Sequence, residues 1–600
     1  MKHLLFPCLL LLTACQQQEP ASSPGTSPTV AEAEAFMQAT EKEAERLREQ
    51  AARTGWLAQT HITHDTRLMA GEADKAYTLA GVNAASEAVR FKDLELDPVL
   101  ARKMQQLKLD LTVPPPNDEA LASELSDIGQ ELRAMYGTGK YCQGEQCFTL
   151  DEMGLILAES RDAALLKELW QGWRQVSPPM RPLYERQAVI ANQGAQDLGF
   201  ADISELWRSK YDMAPDDFAA DMDRQWEMAK PVYDALHCHV RASLHEYYGD
   251  EVMSDSGKIP AHLLGNMWAQ SWGNVYDLVA PPESPAGYDM NSLVEENYPD
   301  AEAMVRGAEA FFTSLGLRAL PETFWERSQF TRPRDREVVC HASAWDIDMV
   351  EDVRIKMCIN RNKEDFEVIH HELGHNYYQL AYADQPFLFR GSANDGFHEA
   401  LGDTISLSVT PAYLVQLGLI EEEPPASEDM ALLMRMALEK VAFLPFALLV
   451  DKWRWQVFSG ELSPDEYNAG WWKLREQYQG VVAPVERTEE HFDPGAKYHV
   501  PDNTSYARYF LAHIQQFQFH KALCEITGYE GPLHRCTIYN NTEVGERLAA
   551  MMAMGTSQPW QDAMEALTGQ RALDATALVD YFAPLKVWLD EQNKDRQCGW

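Results

Sequence analysis

The segment Phe366–Ala381, FEVIHHELGHNYYQLA, constrains the fold more than any other part of the chain. It contains His371-Glu372-Leu373-Gly374-His375. On an α-helix, side chains four residues apart are neighbours on one face. The two imidazoles therefore converge if this segment is helical, and Glu372 then stands beside them. Two nitrogen ligands with an adjacent carboxylate base form the set that zinc-dependent peptide hydrolysis needs. The motif alone leaves open a surface helix with two solvated histidines.

A second segment narrows that choice. In His398-Glu399-Ala400-Leu401-Gly402-Asp403, Glu399 follows His375 by 24 residues (399 − 375). That is enough chain to turn and send a second helix past the first. Glu399 then completes a His₂Glu set with one position open for water. Asp403, one turn on, is placed to orient a ligand histidine. His370 and His398 adjoin the motifs but point to other helix faces, and are read as packing or supporting residues.

Most of the remaining chain reads as helix. Ala31–Gln50, Leu121–Tyr136, Ala163–Val176, Ala219–Tyr248, Met430–Val457 and Tyr506–Cys524 are rich in helix formers. Pro231, inside the fourth of these, predicts a kink or a break. Pro-rich stretches such as Val113-Pro114-Pro115-Pro116 and Glu423-Pro424-Pro425 separate the helices. Two short runs, Arg336–His341 (REVVCH) and Val353–Cys358 (VRIKMC), predict a small sheet just ahead of the metal motif. The expected class is mostly α with one small β element. Hydrophobic residues are 45% and charged residues 24% of 600, ordinary globular usage. No interior stretch looks like a linker, so one or two large, closely packed subdomains are expected. The formal net charge is 52 − 92 = −40. It argues against nucleic acid as the main partner, because phosphate backbones recruit Lys and Arg, and against a polybasic membrane surface.

The N-terminus has its own signals. Lys2 precedes the apolar run Leu4–Leu12, which is too short to span a bilayer and has the form of a secretory h-region. It ends in Leu12-Thr13-Ala14-Cys15, which resembles a bacterial lipobox, with Gln16 following rather than Asp. Residues 1–14 are expected to be a signal peptide, Cys15 the lipidated residue, 15–30 a flexible tether and 31–600 the folded body. The expected location is a bacterial membrane reached only through that lipid, the outer membrane facing the periplasm. Export fits the ten cysteines. Beyond Cys8 and Cys15, the neighbours Cys142 and Cys147, Cys340 and Cys358, and Cys524 and Cys536 suit local disulfides in an oxidising compartment. Sequence does not fix connectivity, and Cys238 and Cys598 are left over.

The segment HHELGH…ANDGFHEALGD closely resembles the angiotensin-converting enzyme family of zinc peptidyl-dipeptidases. Further matches, in order, are Leu206–Tyr211 (LWRSKY), Pro260–Trp272 (PAHLLGNMWAQSW), Val339–Asp346 (VCHASAWD), Gly470–Leu474 (GWWKL), Phe492–Phe510 (FDPGAKYHVPDNTSYARYF) and Phe517–Cys536. They extend the resemblance over roughly residues 30 to 590. It implies a helical ellipsoid of two subdomains around a deep central channel, with zinc at its floor and N-terminal helices as a lid. The implied reaction releases dipeptides from the free C-terminus of oligopeptides, with His371, His375 and Glu399 on zinc and Glu372 as general base. His341 is implied to hold the substrate backbone, and His499 and Tyr509 to stabilise the tetrahedral intermediate. Gln270, Lys497 and Tyr506 are implied to clamp the terminal carboxylate, which a cation, an amide and a phenol can do together. Chloride is implied as an activator, with Arg174, Trp471 and Arg475 at one site and Tyr211 and Arg508 at another. The three neighbouring cysteine pairs agree with the family's disulfides. Asp395 departs from it, since the family more often has Glu there. Two rival readings remain: a carboxypeptidase or oligopeptidase on a related helical zinc scaffold, and a zinc-free peptide-binding lipoprotein.

Overall fold

The computed structural model describes residues 27–253, 256–281 and 288–600. The expected signal peptide, Cys15 and most of the tether lie outside these residues. Described helix begins at Val30, where Thr29 and Glu32 form a reciprocal cap: Glu32 N donates to Thr29 Oγ1 at 3.2 Å and Thr29 N to Glu32 Oε2 at 2.8 Å.

The fold is mostly α, as expected. One continuous apolar core runs from Ala85 to Leu589 and takes in Phe366, Ile369, Leu373, Tyr377 and Tyr378 of the metal-motif helix Lys363–Tyr382. Helix Pro215–Tyr248 passes through Pro231 as one element, without the predicted break. The segment expected as helix Met430–Val457 is interrupted instead by a π-helical turn, Ala437–Val441, directly before helix Ala442–Ser459. Pro445 sits in the first turn of that helix and has no N–H to give to Val441. The wider turn is a local way to absorb that missing hydrogen bond.

Three helices, Val30–Thr60, His64–Ala88 and Pro98–Leu109, form a cover over the body. They have a small core of their own, including Met37, Phe91, Leu100, Met104 and Leu107. Polar links join them to the body. Arg102 Nη1 meets Asp212 Oδ1 at 2.7 Å, and Arg390 Nη1 meets Glu45 Oε1 at 2.9 Å.

The small sheet differs from the expected one. Strand Ser343–Asp346 pairs antiparallel with Val353–Lys356, while Arg336–His341 is not a strand. The backbone groups of that segment are satisfied elsewhere. Val339 N donates to Gln59 O at 2.9 Å, at the end of the first cover helix. Lys356 Nζ donates to the carbonyls of Val339 (2.9 Å) and His341 (2.6 Å). Alternation gave the segment an extended backbone, but its partners are a helix end and a lysine.

All eight cysteines of the described residues are paired. The three neighbouring pairs are bridged as the resemblance implies. Cys238 and Cys598, unassigned from sequence, bridge each other across 360 residues. No helix among the described residues is long and apolar enough to cross a membrane.

Candidate metal centre and active site

The centre is built on two helices that cross closely. His371, Glu372 and His375 lie on Lys363–Tyr382; Glu399 and Asp403 lie on Phe397–Leu407. The crossing depends on two glycines. A Cβ on Gly374 would come 3.0 Å from Gly402 Cα, and one on Gly402 would come 2.7 Å from His371 Nδ1. With both side chains absent, Glu399 comes within reach of the motif histidines.

His371 Nε2 and His375 Nε2 are 3.1 Å apart, and His371 Nε2 is 3.5 Å from Glu399 Oε2. Ligand atoms of all three residues lie within 4.8 Å of one another. Two nitrogens about 2.0–2.1 Å from one tetrahedral zinc ion are separated by about 3.3 Å, so the donor set fits that ion. The electrostatics fit as well. Burial alone would lower the His371 pKa, but hydrogen bonds to Asp403 and Glu399 outweigh it and draw it up to about 10. The protein thus favours positive charge at this point. His375 goes the other way, down to about 3, through burial and then repulsion from His371. It stays neutral, with a lone pair to offer. Asp403 Oδ1 is 3.2 Å from His371 Nδ1 and fixes the ring, while Lys440 Nζ donates to Asp403 Oδ2 at 2.7 Å.

Glu372 is 8% exposed, and burial raises its pKa above the usual carboxylate value. It lines a cavity of about 1050 Å³ together with His341, Ala342, His371 and Val368. His341 is exposed, with Nδ1 2.8 Å from Ala342 O. His370 and His398 stay out of the ligand set. His370 bonds Phe366 O at 2.8 Å and Tyr413 Oη at 3.1 Å, and His398 packs 4.7 Å from the Tyr378 ring.

The proposed carboxylate clamp and oxyanion pair are adjacent. Lys497 Nζ donates to Gln270 Oε1 at 2.6 Å and lies 5.5 Å from the Tyr506 ring centre. Burial lowers the Lys497 pKa to about 7. The Tyr506 ring is 4.7 Å from His499 and 4.8 Å from Tyr509, and Tyr509 Oη is 3.4 Å from His499 Nε2. Burial, followed by the charge of Lys497, holds His499 neutral, at about 3.

The peptidase M2 family model, described as angiotensin-converting enzyme, matches residues 27–600. The chain belongs to the angiotensin-converting enzyme family. It is 41% identical to the angiotensin-converting enzyme of Bos taurus over 97% of this chain and 45% of that protein. With the enzyme of Mus musculus it is 41% identical over 100% of this chain and 47% of the relative. The enzyme of Theromyzon tessulatum is 42% identical over 84% of this chain and 82% of its own length. The chain spans about half the length of the mammalian angiotensin-converting enzymes it matches.

The two anion sets expected from the angiotensin-converting enzyme resemblance look different in this chain. Arg174 and Arg475 are buried, at 5% and 2% exposure, and neither is ion-paired among the described residues. They donate to the carbonyls of Met267 (3.0 Å) and Trp268 (2.7 Å), while Arg174 Nε and Arg475 Nε and Nη2 have no protein acceptor. Trp471 is buried with them. Burial lowers both guanidinium pKa values to about 9, only partly offset by the nearby Asp493 carboxylate, so an added anion would relieve the remaining charge. At the second set, by contrast, Arg508 Nε stands 3.4 Å from Asp395 Oδ2.

Sequence reading missed two supporting residues. Lys440, which braces Asp403, lies in the π-helical turn, a feature frequent at functional sites but not visible in sequence. Trp268 lies 4.3 Å from Lys497 Nζ, and its indole N–H, like that of Trp173, donates to Ala496 O at 2.9 Å. Its place in PAHLLGNMWAQSW was a signal without a role.

Proposed function

We infer that this chain is a zinc-dependent peptidyl-dipeptidase that releases dipeptides from oligopeptides with a free C-terminus. The observation that carries the reading is a His₂Glu donor set and a buried lysine bonded to Gln270 in a single fold. His371, His375 and Glu399 would hold the zinc. When bound, zinc polarises a carbonyl and brings the pKa of a coordinated water to about 7.

The chain's own residues account for the rest. Lys497 Nζ, Gln270 and the Tyr506 phenol bind the terminal carboxylate; fixing that end at a set distance from the metal helix measures off two residues. His341 orients the substrate backbone near the scissile bond. Glu372 takes a proton from the attacking water on a carboxylate oxygen and passes it to the leaving nitrogen. His499 and Tyr509 donate hydrogen bonds to the oxygen on which negative charge develops. Chloride at Arg174 and Arg475, beside Trp471, steadies the wall that carries Trp268 and Lys497. Export and lipidation at Cys15 belong to the same proposal, supported by four disulfides; mass analysis of the mature N-terminus tests them.

The deciding assay sets a peptide with a free C-terminus against its C-terminal amide and reads product masses. Dipeptides from the free acid, with little cleavage of the amide, are expected. Single residues would mean a carboxypeptidase, and internal fragments an oligopeptidase. Binding without cleavage in zinc-replete protein would mean a peptide-binding lipoprotein.

A further inference from the structure

A cavity of about 200 Å³ adjoins the segment that carries Tyr509, and Lys210, Tyr211, Asn394, Asp395 and Arg508 line it. Its polar atoms are incompletely matched. Asn394 Nδ2, Asp395 Oδ1 and Arg508 Nε are all buried without a hydrogen-bond partner, and Asn394 as a whole is 7% exposed. Arg508 Nε faces Asp395 Oδ2 at 3.4 Å, an ion-pair distance. The Tyr211 phenol faces the same carboxylate. Its ring is fixed by stacking on Phe218, with centroids 4.0 Å apart and planes 3° apart. The two donors that the family resemblance gives to a chloride ion therefore already converge on an anion that is part of the chain. A halide placed there would meet the like charge of Asp395.

The position of this carboxylate matters. Asp395 is four residues before Glu399 (399 − 395), at the approach to helix Phe397–Leu407. Arg508 is the second residue of helix Ala507–Ile526 and Tyr509 the third. One ion pair thus ties the segment bearing the third metal ligand to the segment bearing the oxyanion donor.

We propose that Asp395 is a built-in anion, a positioning residue whose carboxylate holds Arg508 and Tyr211, and through them Tyr509, where a dissolved halide would otherwise be required. The role of Tyr509 rests on the function inferred above. Chloride response in the wild type then belongs to Arg174 and Arg475 alone. Removing the charge of Asp395 creates a vacant anion seat, because the cavity is several times larger than the roughly 30 Å³ that a water-sized occupant takes up.

The test titrates chloride against gluconate at constant ionic strength in the full chain loaded with zinc. It compares wild type, Asp395→Asn, Asp395→Glu, Arg508→Gln and the Asp395→Asn/Arg508→Gln pair. Dipeptide release from a neutral peptide and the thermal midpoint are read for each. At near-zero chloride Asp395→Asn should lose about 10- to 100-fold in kcat, the scale of a donor misplaced by about 1 Å. Saturating chloride should restore it to within about threefold, and should raise its thermal midpoint beyond the wild-type increment, because the ion binds the folded state. The double variant should show neither recovery, and Asp395→Glu should restore the wild-type chloride profile. Arg508→Gln should leave the midpoint of the wild-type chloride titration unmoved. An Asp395→Asn deficit that is the same at every chloride concentration overturns the proposal, as does a wild-type chloride response that Arg508→Gln abolishes. If Asp395→Asn fails to fold, the Asp395→Glu and Arg508→Gln profiles decide. If the wild type releases no dipeptide at all, the inferred function fails instead, and the thermal increments still report whether the seat exists.

Discussion

Where helix Lys363–Tyr382 crosses Phe397–Leu407, two glycines bring the backbones together and apolar core surrounds them. Where the cover helices meet the body, ion pairs such as Arg390 with Glu45 and Arg102 with Asp212 stand beside a small apolar contact of Ala52 and Trp56 with Ile347 and Trp345. The first region has no slack: interiors packed to crystal-like density resist displacement. The second rests in part on charges that water and salt can replace. The candidate ligands His371, His375 and Glu399 sit in the first, and the cover helices are held by the second.

The largest expected effect lies at the crossing. Glu372→Gln should retain metal, measured by elemental analysis after dialysis, and lose about 10²–10⁴-fold in kcat, the range for a general base. Near wild-type turnover would remove Glu372 from that role. Gly402→Ala comes next. Its methyl would press on His371 Nδ1 and disturb the hydrogen bond to Asp403, so metal affinity should fall about 10- to 100-fold in chelator competition. Unchanged affinity would show that the crossing has more slack than its distances imply.

A smaller effect concerns pH. Burial lowers Lys497 to about 7, so the lysine carries its charge below that pH and loses it above. KM for free-acid peptides should rise as pH climbs through that region, while KM for the C-terminal amide changes little. Parallel behaviour of the two substrates would mean that Lys497 does not meet the carboxylate. The smallest change belongs to the cover. Arg390→Gln should alter kcat by less than about threefold, since partly exposed ion pairs contribute about 0–1 kcal/mol. Amide exchange should quicken in residues 30–109 and not in Lys363–Tyr382. Equal quickening in both would erase the contrast between the regions.

What sequence made legible follows the same division. His371, Glu372 and His375 were readable because helical periodicity is a local rule, and Glu399 with Asp403 because a short return crossing leaves a short interval. Six helices were placed for the same reason, although Pro231 did not break its helix and Pro445 was accompanied by a π turn. The features that were not legible are non-local. REVVCH has the alternation of a strand, but its backbone partners come from Gln59 and Lys356. Lys440 acts through Asp403, which lies 37 residues earlier. That Arg508 meets Asp395 depends on two helix starts converging, which neither segment announces. The clamp and oxyanion residues came from family resemblance; no spacing rule links Gln270 to Lys497 across 227 positions.

The Cys238–Cys598 bridge orders events in time as well as in space. During synthesis Cys238 is in the new chain while its partner is still 360 residues from being made. Through that interval it sits among six other body cysteines that are made before Cys598, any of which could capture it. Cys238 ends fully buried, within a long helix. Packing that helix early would shelter the thiol from the wrong partners, and Cys598 would then have to reach it at the margin of a body already folded. Once formed, the bridge closes a loop so long that, in the chain-entropy account, it removes about 6 kcal/mol of freedom from the unfolded chain. A reductant would therefore act most strongly on maturation, before this last closure, and much less on protein that has completed it.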